Sequence, residues 1–182
     1  MRLFIGIPLD SAVVGELASL SEGLKSPADG LRWSVSAGWH ITLQFLGKTS
    51  FDQYACIKAE LWRIQHPPFE IQLDPPGFFD RAGVFFAGVQ LSPELTGLQQ
   101  QVVAATKPCG FGPEDRPYHP HITLAREKGG SSGLRQLKSR IPGELRFSSF
   151  VARVFLLYES FPGPGGSRYE VRERFELGRI RS

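Results

Sequence analysis

Apolar and polar positions along the chain follow two periods, and the switches between them mark the elements. Residues 2–7 form a short β-rich apolar run ended by Pro8, which predicts a strand. Asp10 or Ser11 then caps a helix with Val13, Leu17, Leu20 and Leu24 on one face, broken at residues 26–30. After a short apolar stretch at 31–34, residues 40–46 (HITLQFL) alternate and are stopped by Gly47, another strand. Thr49 or Ser50 caps a second helix carrying Tyr54, Ile57, Leu61 and Ile64. Residues 69–73 and 84–91 read as strands around a turn-rich segment with Pro75, Pro76, Gly77 and Gly83. Ser92 and Pro93 open a third helix that buries Leu95, Leu98, Val102 and Ala105. A Gly/Pro-dense loop at 108–117 leads to a strand at 121–126 (HITLAR), and a connector at 129–133 to one or two helical turns at 134–139. Strands are expected at 145–147, 151–160 and 168–177, the last two joined by a hairpin-like turn at 161–166.

Helices and strands are thus interspersed while several strands are sequence neighbours, which predicts an α+β protein with largely antiparallel sheets and helices outside. No linker separates independent units, so residues 1–182 are expected to form a single domain. One strand repeats: His40-Ile41-Thr42-Leu43 and His121-Ile122-Thr123-Leu124 are identical. The repetition predicts two lobes related by an internal pseudo-two-fold, with these strands facing each other across a central groove.

At 41% hydrophobic and 21% charged residues the composition is globular. No apolar run approaches the ~18 residues of a membrane span, and the first ten residues do not read as a signal peptide, so a cytoplasmic protein without membrane association is expected. Cys56 and Cys109 are too few for a disulfide scaffold and are expected as free thiols. The net charge of +3 hides an asymmetry: residues 1–115 carry 8 Lys/Arg against 12 Asp/Glu, residues 116–182 carry 13 against 6. Arginine supplies eleven of those thirteen cations, and its planar fork suits phosphate.

The chemistry lies in the repeat. With four His and five Thr in the chain, a His followed two positions later by Thr is expected by chance about 0.1 times. It occurs twice. On a strand the two side chains share one face, about 7 Å apart, while Ile and Leu point into the core. Two imidazoles and two hydroxyls around one centre suit phosphoryl transfer: a neutral imidazole takes the proton of an attacking water, an imidazolium protonates the departing sugar oxygen, and hydroxyls hold the non-bridging oxygens. The motifs being identical, the sequence leaves open which imidazole is base and which acid. His119-Pro120-His121 also has a metal-ligand spacing, but no third ligand stands out and the duplicated threonines would go unexplained. The Gly-rich turn at 163–166 lacks a following Lys-Ser/Thr, so no ATP-binding loop is present.

These motifs resemble the two-histidine phosphoesterases, and within them the bacterial RNA 2',3'-cyclic phosphodiesterases, also called 2'-5' RNA ligases. The similarity covers nearly the whole chain: the opening RLFIGIP, Leu31-Arg32-Trp33 before HITLQFLG, Pro120-HITLAR, and Leu156-Leu157-Tyr158-Glu159-Ser160 followed by Tyr169. It departs at residues 34–38, where members more often carry a proline-containing loop. The resemblance implies a bilobal fold, no metal or other cofactor, RNA with 2',3'-cyclic phosphate ends as substrate, and hydrolysis to 2'-phosphates together with ATP-independent 2'-5' ligation. A non-catalytic RNA-end binding module and a metal-dependent phosphohydrolase are the alternatives. His40 and His121 would be catalytic, Thr42 and Thr123 would bind phosphate, and Phe45 and Arg126, each five residues after its His, would contact the nucleotide. Strict alternation would send Phe45 and Arg126 to the core side, so their participation requires a bulge. A monomer is expected. Trp33 and Tyr118 are read as packing residues, His119 as a rim residue, and Arg168, Arg172 and Arg174 as a solvated strand face.

Overall fold

A computed structural model describes residues 1–130 and 132–179; Ser131 of the 129–133 connector lies outside the described residues. The chain runs β1 (Arg2–Pro8), α1 (Ser11–Leu24), β2 (Leu31–Trp33), β3 (His40–Lys48), α2 (Phe51–Leu61), β4 (Phe69–Ile71), β5 (Leu73–Phe79), β6 (Val84–Val89), α3 (Pro93–Thr106), β7 (His121–Glu127), α4 (Gly133–Lys138), β8 (Phe150–Ala152), β9 (Val154–Phe161) and β10 (Arg168–Glu176). The helix starts are set by local chemistry. The Asp10 carboxylate accepts from the Val13 amide at 2.9 Å, Ser50 and Gln53 form a reciprocal capping box, and Ser92 accepts from Leu95 with Pro93 behind it.

Two four-stranded antiparallel sheets result, ordered β10-β9-β1-β3 and β2-β7-β6-β5, with β4 and β8 as a separate pair. The α+β architecture is therefore as expected, and the pseudo-two-fold is visible in the pairings: β3 lies beside β1 as β7 lies beside β6. The two repeated strands meet between the sheets. Helix α3 follows β6 in sequence yet packs over β3 of the other sheet, and a single apolar cluster holds Ile5, Ile41 and Leu43 together with Phe85, Ile122 and Leu124. Among the described residues no helix is long and apolar enough to cross a membrane.

Five local readings are corrected. Pro75, Pro76 and Gly77 do not form a turn but lie within β5; β5 is an edge strand, where a missing proline amide costs no ladder bond, and the register slips between Asp74 and Pro76. Residues 145–147 form no strand, and the expected strand at 151–160 is split at Arg153 between β8 and β9. Gly47 does not stop β3: it adopts φ +71° and lets the strand run on to Lys48. Cys56 and Cys109 are not free thiols. They form a disulfide, because α2 and the 3₁₀ turn after α3, 53 residues apart in sequence, bring their Cα atoms to 5.7 Å.

Candidate active site

The repeated strands present their chemistry through matching irregularities. In β3, Ile5 pairs with Gln44 and Gly6 with Thr42, leaving Leu43 as an extra residue; in β7, Phe85 pairs with Ala125 and Phe86 with Thr123, leaving Leu124 as the extra one. Each bulge sits three residues after the histidine and shifts the alternation by one. Leu43 and Gln44 are consequently both buried, as are Leu124 and Ala125, while Phe45 (60% exposed) and Arg126 come round to the face that carries the His and Thr. The required bulge is present in both copies.

His40, Thr42, Phe45, His121, Thr123 and Arg126 line one cleft of about 260 Å³, so all six candidates are brought together. Each histidine is held in the same way. His40 Nδ1 lies 2.8 Å from the Gly38 carbonyl oxygen, and His121 Nδ1 lies 2.8 Å from that of His119. A carbonyl only accepts, so Nδ1–H donates and Nε2 is left as the proton-accepting nitrogen of the neutral ring. The Thr42 hydroxyl lies 3.1 Å from His40 Nε2 and donates to it.

Both rings are packed among aromatics. Phe4 (4.6 Å between ring centroids), Tyr169 (5.3 Å) and Tyr158 (5.6 Å) surround His40; Phe79 (5.0 Å) and Phe86 (5.4 Å) surround His121. This burial disfavours the imidazolium. His40 is held down at about 4, burial outweighing the opposing bond to Gly38, with the His121 charge acting the same way as burial. Burial also lowers His121, aided by His119 and Arg126. The Gly6 position permits the packing of His40, since a Cβ there would stand 2.9 Å from the Ile41 carbonyl oxygen and 3.3 Å from His40 Cδ2.

Three contributors were not legible as site residues. Tyr118 donates its hydroxyl to the Thr42 carbonyl at 2.8 Å, tying the segment before β7 to β3 across the lobes. Burial holds its phenol well above the usual range. Tyr169 and Arg32 line the cleft; both stand in segments that carry the family resemblance, and Arg32 is also the polar residue between Leu31 and Trp33 in a three-residue strand. Trp33 is half-buried and donates to the Asp29 carboxylate at 2.8 Å while its ring meets Phe85 edge-on. His119 is exposed and 6.3 Å from His121 between centroids; among the described residues no group of three metal-ligating side chains forms. The arginines of β10 are ion-paired, Arg172 with Glu159, Arg168 with Glu170, and Arg174 with Glu176.

The chain is similar in sequence and in fold to known proteins. The RNA 2',3'-cyclic phosphodiesterase of Aeropyrum pernix is 35% identical over 121 residues, 64% of this chain and 69% of the relative. The Escherichia coli enzyme of the same name is 28% identical over 177 residues, 97% of this chain and 96% of the relative. Among solved structures, E. coli LigT complexed with 3'-AMP superposes with TM-score 0.82 at 27% identity, covering 98% of both chains. A Thermus thermophilus protein, TT0787, does so with TM-score 0.84 at 27% identity, covering 97% of this chain and 98% of that one. The family profile described as the 2'-5' RNA ligase superfamily matches residues 18–158, a span that contains both His-x-Thr strands, and the chain belongs to that superfamily.

Proposed function

We propose that the protein hydrolyses the 2',3'-cyclic phosphate at RNA ends to a 2'-phosphate by acid-base catalysis between His40 and His121. The observation that carries this reading is the pair of His-x-Thr strands on one cleft, each imidazole pinned through Nδ1 to a carbonyl two residues upstream. With the ring fixed and Nε2 available, one neutral imidazole takes a proton from water as its oxygen attacks phosphorus. The P–O3' bond breaks in line, and the opposite imidazolium delivers its proton to O3'. Thr42 and Thr123 hold the non-bridging oxygens, whose charge grows in the transition state. Running the same steps with a ribose 5'-hydroxyl in place of water, and the 2' oxygen retained on phosphorus, yields a 2'-5' linkage without ATP.

Product analysis at a cyclic-phosphate-ended oligonucleotide tests the reading directly: the phosphate is expected on the 2' oxygen, at a rate unchanged by EDTA. Tight binding without conversion would instead identify an end-binding module, and loss of activity with chelator, restored by zinc or manganese, a metal-dependent hydrolase. Because burial lowers both imidazoles, the bell-shaped pH profile of kcat/KM is expected to centre below 6.5. The kcat profile is expected to lie higher, since the bound phosphate anion favours the imidazolium.

Phe45 and Arg126 stand on equivalent positions of the two strands and enter the same cleft, where an aromatic face and a guanidinium plane can hold a base between them. Phe45→Ala and Arg126→Ala are each expected to weaken nucleotide binding by ~1–3 kcal/mol, with little base preference in either variant or the parent. Calorimetric titration with a nucleoside monophosphate checks this, and unchanged affinity in both variants would remove the clamp.

A further inference from the structure

The edge strand β2 pairs with β7 so that Leu31 faces Glu127, Arg32 faces Arg126 and Trp33 faces Ala125. Directly opposed residues of an antiparallel pair share a face, with Cβ atoms about 4.5–5.5 Å apart, and like charges in that relation are destabilising. Arg32 and Arg126 are both exposed, both line the catalytic cleft, and neither forms an ion pair among the described residues. The carboxylates nearest in sequence are used elsewhere. Asp29 accepts from the Leu31 amide and the Trp33 indole, and Glu127 accepts from the Leu134 amide. Two guanidinium forks therefore face the cleft with no anion from the protein between them.

The hydrolytic reading uses only one of these charges. The cyclic phosphate is accounted for by the histidines and threonines, and Arg126 presents its flat face to the base. Arg32 stands one strand spacing, about 4.8 Å, further out on the edge of the sheet and lines the same cleft as the histidines, so it is placed to meet a second anionic group of a substrate held there. The N–H groups at the edge of a guanidinium remain free when its face is stacked, so Arg126 can donate to the same anion as Arg32.

Resting on the function proposed above, we propose that Arg32 and Arg126 form an anion site for the phosphate on the 5' oxygen of the terminal nucleotide, so that the enzyme selects chain ends over free cyclic mononucleotides. In RNA that phosphate is the next phosphodiester. A free 5'-monophosphate offers the same chemistry.

Three substrates separate the possibilities: a nucleoside 2',3'-cyclic phosphate with a 5'-hydroxyl, the same with a 5'-monophosphate, and a dinucleotide ending in the cyclic phosphate. The full-length protein is expected to prefer the dinucleotide to the 5'-hydroxyl compound by about tenfold or more in kcat/KM, as charge-assisted bonds require, and the preference should shrink with added salt. In Arg32→Gln the ratio should collapse to within about threefold, while Arg32→Lys retains part of it. A preference shown by the 5'-monophosphate alone would assign the site to 5'-phosphorylated mononucleotides and overturn selection of chain ends. A parent ratio near one, or an Arg32→Gln ratio equal to the parent's, would overturn the anion site. If none of the three is turned over, the hydrolytic reading fails instead, and calorimetric affinities for the same compounds still read the ratio.

Discussion

His40→Ala and His121→Ala should each lower kcat for cyclic-phosphate opening by at least about 10², the lower end of what a general acid or base contributes. The double variant should be little worse than the poorer single one, because the two imidazoles serve one displacement and removal of either abolishes the concerted transfer. Single-turnover kinetics on a dinucleotide substrate measures this without interference from product release. Losses that multiply in the double variant would indicate independent roles. A fully active His40→Ala protein would dismiss the mechanism. Neither histidine is a large apolar core residue, so both variants should fold, which circular dichroism and a thermal melt establish before the rates are compared.

Folding stability should decline by up to about 3 kcal/mol as the pH falls from 6.5 to about 4, from His40 alone. In the folded protein the aromatic packing around this ring holds it down at about 4, whereas in the unfolded chain it titrates at its ordinary value of 6.5. Between those values the unfolded state binds the extra proton, so acid favours unfolding; above 6.5 both states are neutral and the full contribution is present. Each pH unit of difference is worth about 1.36 kcal/mol. His121 is shifted in the same direction and adds to the slope. Urea titrations at about pH 7.5, 5.5 and 4.5 measure it, and His40→Gln, which keeps a polar side chain of similar reach, should flatten the dependence. A His40 ring titrating near 6.5 by NMR in the folded protein would contradict the prediction.

The same burial that lowers stability in acid bears on the proposed chemistry. In that mechanism a buried imidazole kept neutral, with its tautomer set by a carbonyl, accepts a proton, and the incoming phosphate supplies the negative charge that stabilises its partner as the imidazolium. Gly6 belongs to this arrangement although it carries no chemistry, because it is the absence of a side chain there that lets His40 lie against Phe4 and Tyr158.

Much of this was legible locally. Hydrophobic period and cap residues located α1, α2, α3 and the repeated strands, since those depend on interactions within a few residues. The duplicated tetrapeptide alone singled out His40, Thr42, His121 and Thr123 as candidates that share a face, because a strand places residues i and i+2 on one face whatever the rest of the fold does. What depended on neighbours could not be read from the chain. Pro75 and Pro76 look like a turn until β5 is known to be an edge strand. Cys56 and Cys109 look like free thiols until α2 and the turn after α3 are brought together. The positions of Phe45 and Arg126 were decided by bulges, which exist only as a mismatch between two paired strands and leave no mark on either alone. Arg32 faces Arg126 for the same reason: register is a property of the pair, and it takes the tertiary structure to set two like charges side by side on one cleft.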